Sequence, residues 1–255
     1  MTLSVVIITY NEEANIGRTL KSVLPLVANG EIIVVDSGST DRTLEIAREH
    51  GAKVFSEEWK GYAAQKNSAI AKASGDWILS LDADEEVESG LAEEIAPLLQ
   101  ASSAGIHGYW IPRKNFFLGR WIRHGGFWPD RKLRLFRRGT GTIAERAVHE
   151  VVAVGGPTGR LHHALLHHAY PTLAGYTDHM NRYSSLGAEM AVAEGHGGFS
   201  VVDIVLRPLA TFIYKYFFRL GFLDGREGLL LNLYHAVYVS WKYAKVWELS
   251  RKKNT

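Results

Sequence analysis

Four apolar, mostly β-branched runs, "LSVVIITY", "EIIVVDSGS", "AKVFS" and "DWILSLDAD", alternate with stretches of helical period through the first part of the chain. Strands with Val, Ile and Leu at consecutive positions bury both faces, and a chain that returns through a helix between such strands lays them parallel. The intervening stretches fit that role. "NEEANIGRTLKSVLPLV" and "YAAQKNSAIAKASG" carry apolar residues at helical spacing, and "TDRTLEIAREHG" has Thr40 or Asp41 to cap its start and Gly51 to stop it. The expected fold class is α/β, a Rossmann-like, mostly parallel sheet covered by helices. Ligands of such sheets sit beyond the carboxyl ends of the strands. The polar clusters fall there: "TYNEE" after the first strand, "DSGSTD" after the second, "DADEE" after the fourth.

From about Gly108 to Tyr170 the pattern changes to short strands and Gly-rich turns dense in Trp, Arg and His, and "RKLRLFRRGTG" alternates like a half-exposed strand. Beyond Tyr176 the chain reads helical. The expected organisation is an α/β domain over 1–175, in halves 1–105 and 106–175, followed by a helical extension over 176–255. The 46% hydrophobic content supports a sizeable core. The absence of cysteine excludes a disulfide framework, thiolate metal sites and cysteine nucleophiles, and fits a reducing compartment. "MTLSVVIITYNEE" lacks a basic leader and ends in acid, so it is expected to be a strand rather than a secretory signal. A net charge of +2 gives no nucleic-acid footprint.

No G-x-G-x-x-G lies at a strand–helix junction, which speaks against a dinucleotide oxidoreductase or a P-loop enzyme. Asp36, ending the second strand, could accept hydrogen bonds from a ribose or base, or could simply cap its own turn. Asp82 and Asp84 stand two apart. In an extended segment they point the same way, with Ala83 opposite, and two convergent carboxylates suit Mg²⁺ or Mn²⁺ bound together with a diphosphate. The alternative is a solvated acidic turn opening a helix at Glu85 and Glu86. The pairs His162–His163 and His167–His168 each face opposite ways in a strand, so neither pair chelates alone.

"SVVIITYNE", "VVDSGSTD" and "AAQKNSAIAKASGDWILSLDADE", in this order and spacing, resemble the family 2 glycosyltransferases of GT-A fold. "WPDRKLRLFRRGTG", "AVHEVV", "LLHHAYPTLAGYTDHMNRYS" and "GFLDGREGLLLNLYHAVYVSWKY" extend the likeness toward the lipopolysaccharide-core glucosyltransferase branch. The resemblance implies an inverting transfer of a sugar, glucose in that branch, from a UDP-sugar to a lipid-linked saccharide. Transfer to a polyprenyl phosphate and a non-catalytic nucleotide-sugar-binding or scaffold role are the alternatives. It places Thr9 and Glu12 in the nucleotide pocket, Asp36 on the base or ribose, and Lys66 on the nucleotide side where relatives carry Arg. It also places Asp82 toward ribose and metal, Asp84 on the metal as a catalytic residue, and His168 as a second metal ligand. Lys132 stands where relatives commonly have glutamine. An inverting transfer needs a base for the acceptor hydroxyl; the likeness points to Glu150, with Glu145 and Asp130 as rivals.

The tail has its own character. From Val201 to Thr255 nine Lys/Arg face four Asp/Glu, an excess of five (nine minus four). "RPLATFIYKYFFRLGF" sets Arg207, Thr211, Lys215 and Arg219 at four-residue intervals against Leu, Ile, Phe and Tyr. A basic helix with an aromatic apolar face is expected to lie on a membrane rather than cross it. The implied setting is peripheral, on the cytoplasmic face of the cell membrane. Packing of both tail helices on the catalytic domain, or on a sister subunit in a homo-oligomer, is the competing expectation.

Overall fold

The computed structural model describes residues 1–100, 105–144 and 151–252. The first stretch runs β1 (Leu3–Thr9), α1 (Ile16–Val23), β2 (Glu31–Asp36), α2 (Thr43–Glu49), β3 (Lys53–Ser56), α3 (Tyr62–Ala71), β4 (Trp77–Asp82), β5 (Glu85–Val87) and α4 (Ser89–Gln100). Then come β6 (Gly108–Phe117), β7 (Arg120–Trp121), β8 (Asp130–Arg137), β9 (Gly141–Ala144), β10 (Val151–Val154), β11 (Thr158–Arg160) and β12 (Leu165–Tyr170). The chain ends with α5 (Leu173–Ala193), α6 (Arg207–Ile213) and α7 (Gly225–Lys252). The expected alternation holds throughout the first part.

The main sheet has the order β3-β2-β1-β4-β8-β6-β12-β5. Its first four strands are parallel, and β8 joins β4 antiparallel, Leu79 opposite Leu135. Alternate residues of the parallel strands feed two different cores. Val5, Ile7, Ile32, Val34 and Leu79 meet Ile16 and Leu20 of α1 and Leu91 and Ile95 of α4. Val6, Ile33, Val35 and Ile78 meet Ala69 of α3 and, from β8, Leu133 and Phe136. Burial on both faces is why the strands read as unbroken apolar runs. Gly51, at φ +76°, ends the α2 segment as expected.

Strand β8 departs from the half-exposed reading. Leu133, Arg134, Leu135 and Phe136 are all buried, because β8 lies inside the sheet between β4 and β6. An alternating pattern that would leave its polar side to water instead carries an arginine into the interior.

Two compact units divide the chain: residues 1–114 with 130–167, and residues 115–129 with 168–255. The second unit thus takes a loop from the middle of the sequence as well as the tail. Within it, Phe117, Ile122, Tyr176 and Leu231 form one core, and Ala188, Ala191 and Val246 join α5 to α7 in another. Lys245 of α7 donates to the Asn181 carbonyl and side chain and to the hydroxyls of Ser184 and Ser185 on α5. Asp224 is buried and accepts from the amides of Arg123 and His124, tying the 115–129 loop to the start of α7. Helix α7 is therefore part of the second unit's core, packed on α5 and tied to the 115–129 loop.

Candidate active site

The strand ends of the first unit assemble a charged cluster. The β1 and β2 loops are laced together: Asn11, in the left-handed region at φ 53°, accepts from the Thr40 amide (2.8 Å), and the Glu12 amide donates to Thr43 Oγ1 (2.8 Å). Thr9 ends β1 opposite Asp36 of β2. Thr9 Oγ1 and Ser37 Oγ are buried hydroxyls without a hydrogen-bond partner among the described residues. Asp36 is wholly buried and spends both oxygens on its own turn, accepting from the Gly38 and Ser39 amides (2.9 Å each) and from the Ser39 hydroxyl. Of the two roles open for Asp36, turn capping is the one the geometry displays.

The D-x-D segment is not extended. Strand β4 stops at Asp82, a two-residue turn carries Ala83 and Asp84, and β5 begins at Glu85, so no helix opens there. The same-side argument for the two carboxylates therefore fails, and each has its own surroundings. Thr19 Oγ1 of α1 donates to the Ala83 carbonyl (2.7 Å, buried), fixing the turn from below. Asp82 Oδ1 meets Lys66 Nζ at 2.7 Å, its Oδ2 meets Arg134 Nη2, and its amide donates to Glu85 Oε2 (3.0 Å). Burial alone would raise the Asp82 carboxyl; Arg134 and Lys66 beside it hold it well below the usual carboxylate range.

Glu85, with no solvent exposure, is held by Arg134 Nη2 (2.7 Å) and Arg113 Nη1 (3.0 Å). Arg113 also grips Asp130 through Nε (3.0 Å) and Nη2 (2.6 Å), and Lys132 Nζ completes that pair at 3.0 Å. Burial opposes ionisation of Asp130 as well, yet the two cations depress its carboxyl far below normal. Arg134 donates through Nη2 while its buried Nε has no partner. Neither Arg113 nor Arg134 was singled out from the sequence as a site residue. The available signal was a cation at an inward-facing place in "LRLF", where an unpaired charge is untenable.

Asp84 Oδ2 lies 3.3 Å from His167 Nε2. Burial would raise the Asp84 carboxyl, and the hydrogen bond and charge of His167 bring it below its ordinary value. Among the described contacts the histidine at Asp84 is His167, the neighbour of the expected His168; successive residues of β12 point to opposite faces. The His168 ring stacks on Phe116 instead, centroids 5.0 Å apart. Glu12 accepts from Asn15 Nδ2 (2.8 Å); burial pushes its carboxyl up, Asn15 opposes this, and Asp84, Asp41 and Asp82 add to the rise. Glu150 and Glu145 lie outside the described residues.

The donor set tolerates a hard cation. Two ligands side by side on an octahedral ion with bonds of about 2.1 Å stand about 3 Å apart, close to the Asp84–His167 separation. Among the described residues no group of three or more His, Asp or Glu could hold a metal by itself. A small cation that keeps water and takes substrate phosphate oxygens needs only one or two side chains.

The model of the glycosyl transferase family 2 domain matches residues 4–163. The lipopolysaccharide core biosynthesis glycosyltransferase LpsC of Rhizobium meliloti is 31% identical over 97% of this chain and 93% of its own length. An uncharacterized glycosyltransferase of Rickettsia typhi is also 31% identical, over 98% of this chain and 88% of its own. Among solved structures, the mannosyltransferase PcManGT of Pyrobaculum calidifontis, in complex with GDP-Man and Mn²⁺, superposes with a TM-score of 0.55 at 15% identity, covering 96% of this chain and 86% of that one. TarS of S. aureus with UDP-GlcNAc gives 0.51 at 15% identity, covering 99% and 92%. These two likenesses bear on the fold, and they agree with the GT-A arrangement that the motifs imply.

Proposed function

The chain belongs to glycosyl transferase family 2 and is a glycosyltransferase, and from that premise we propose an inverting, metal-dependent transfer of glucose from UDP-glucose to a lipid-linked saccharide of the lipopolysaccharide-core type. The observation that carries the proposal is the turn at the end of β4, where Asp82 is fixed by Lys66 and Arg134 while Asp84 faces His167. The acceptor class rests on the LpsC likeness, and glucose rests only on the resemblance of the later motifs to the glucosyltransferase branch.

In this reading Asp84 and His167 would hold a divalent cation, whose charge would offset the negative charge that builds on the diphosphate leaving group. Thr9 and Ser37 offer buried, unpartnered hydroxyls beside the nucleotide. Lys66 and Arg134 keep Asp82 ionised and in place, so the turn does not have to reorganise when the substrate arrives. The acceptor oxygen attacks the anomeric carbon as a carboxylate removes its proton. Asp130 suits that task poorly: a carboxyl depressed by Arg113 and Lys132 is a weak proton acceptor at neutral pH. Of the three acids Asp130 is thus the weakest candidate; the proposed base is Glu150, with Glu145 as its remaining rival.

The test is calorimetric titration of the purified protein with UDP-glucose in Mn²⁺ or Mg²⁺, followed by UDP release with and without acceptor. Saturable binding that disappears in EDTA is the expected result. Undiminished binding in excess EDTA would overturn the metal role, and a preference for a GDP-sugar would overturn the donor.

A further inference from the structure

Residues 201–218 form one helical run that leaves much of its apolar surface to solvent. Two wide, i→i+5 wound turns, Val202–Leu206 and Tyr214–Phe218, flank α6. An α-helical turn returns after 3.6 residues and the wider turn later, so this mixed winding keeps a four-residue repeat in line where a pure α-helix would let it drift. The repeat is the polar stripe Arg207, Thr211, Lys215, Arg219, and it does not simply face water. Arg207 lies over the Tyr243 ring of α7 at 4.9 Å; Lys215 lies over Phe127 at 4.4 Å and donates to the Gly125 carbonyl at 3.3 Å. Ser240 of α7 takes the Ile204 carbonyl (2.8 Å), and Pro208 is buried. The apolar arc is left to solvent, with the exposed ends of the stripe, Arg207 and Arg219, beside it: Leu206, Leu209 and Phe217 are 53–54% exposed, Phe218 74% and, in the following turn, Leu223 50%. Single exposed apolar residues are ordinary; a continuous run on one element is a binding surface.

We propose that this face is an in-plane anchor that inserts its apolar side chains into the interface of an anionic lipid bilayer. The rim charges select that partner. Arg219 and Arg226 are exposed, whereas Arg207 and Asp203 offset each other in a pair (2.7 Å), Asp224 is buried, and Glu227 is partly buried 3.9 Å from Arg120. An anionic leaflet attracts such a rim, by roughly 1 kcal/mol per basic residue. A second copy docking isologously would set the same rim against itself. The aromatic content fits the headgroup level, with Tyr216 in ring contact with Phe212 and with Phe222. Among the described residues no helix is long and apolar enough to cross a membrane, so the segment lies in the plane. The inference is independent of the sugar donor and metal assignments.

Flotation of the full-length protein with phosphatidylglycerol–phosphatidylcholine vesicles at low salt tests it, with light scattering in parallel. Point variants replace truncation, since removing the tail would strip α7 from α5. Wild type should float with anionic vesicles. Phe217→Ser with Phe218→Ser should lower the bound fraction at least tenfold while keeping the helical circular dichroism and melting temperature. Arg219→Glu with Arg226→Glu should remove the preference for phosphatidylglycerol over phosphatidylcholine. Failure of the wild type to float overturns the proposal. So does a wild-type dimer that the serine pair converts to monomer without any change in lipid binding.

Discussion

Arg134 is the residue on which the site's internal balance turns, and Arg134→Met is the perturbation that exposes it. The guanidinium is 8% exposed and touches Asp82 and Glu85 together. At 2.7 Å from Glu85 and an effective dielectric near 20, one such attraction is gross about 6 kcal/mol. Desolvation of the ions offsets much of that, and measured losses on removing one member of a buried pair run about 3–5 kcal/mol. The structure favours the lower end. Asp82 retains Lys66 at 2.7 Å and 29% side-chain exposure, and Glu85 retains Arg113 at 3.0 Å. The expected loss is therefore about 3 kcal/mol, read as a lowered urea midpoint at unchanged m-value. The double variant Arg134→Met, Glu85→Leu should recover more than half, because it removes the stranded carboxylate as well as the cation. Losing Arg134 should also raise the Asp82 carboxyl, which Arg134 and Lys66 now hold down against burial. A loss below 1 kcal/mol for Arg134→Met, or no recovery in the double variant, would refute this account of the carboxylate cluster.

His167→Ala should weaken Mn²⁺-dependent UDP-glucose binding at least tenfold while His168→Ala leaves it unchanged; the reverse ranking in calorimetry would return the ligand role to His168. Glu150→Gln should cut turnover by about 10²–10⁴ with sugar-donor affinity within a few-fold, and normal turnover alongside a dead Glu145→Gln or Asp130→Asn would move the base. Glu31 gives a pH signature: burial alone would raise its carboxyl, but Lys53, the Ser74 amide, and the Ser4 and Ser74 hydroxyls lower it from 4.5 to about 2. A depressed carboxyl contributes its full stability above the unfolded value and loses it as pH falls through the folded one. The advantage of wild type over Glu31→Gln in urea melts should accordingly shrink between pH 4.5 and 2. An advantage that grows toward acid would contradict the contacts.

Local pattern made the parallel half of the sheet and its polar strand ends legible, because burial on both faces writes itself into "SVVIIT", "IIVV" and "WILSL". What escaped depends on pairing between distant strands. Arg134 enters the site only because β8 lies antiparallel beside β4, and Arg113 only because β6 lies beside β8. No window of sequence around either arginine encodes that neighbour. The D-x-D argument failed for a local reason: period-two reasoning assumes extended backbone, and the chain turns at Ala83 and Asp84. The choice between His167 and His168 hung on one residue of register, which reverses the face of every side chain in a strand. In the tail, the four-residue repeat was visible, but the side it turns inward was not.

The four carboxylates closing β4 thus have different tasks, and stability should separate them. Asp82 and Glu85 are matched by Lys66, Arg113 and Arg134, so the fold depends on their charge. Glu86 is met by Arg18 at 3.5 Å nearer the surface. Asp84 differs: burial and the negative charge of Asp82 oppose its ionisation, its own charge helps push Glu12 up, and the described side chain turned to it is His167. His167 nonetheless brings its carboxyl below the ordinary value, so the charge of Asp84 supports the apo fold through that one contact, far less than Asp82 does through two cations. Asp84→Asn should therefore cost the apo protein only a little, no more than its single His167 contact, while abolishing metal-dependent sugar-donor binding. Asp82→Asn should cost the fold far more, stranding Lys66 and half of the Arg134 contact. Thermal melts of the two variants with and without Mn²⁺ decide it: Mn²⁺ should raise the wild-type midpoint and leave Asp84→Asn unmoved. If Asp84→Asn melts several degrees below wild type in the absence of metal, the carboxylate is a structural element of the turn and the ligand assignment fails with it.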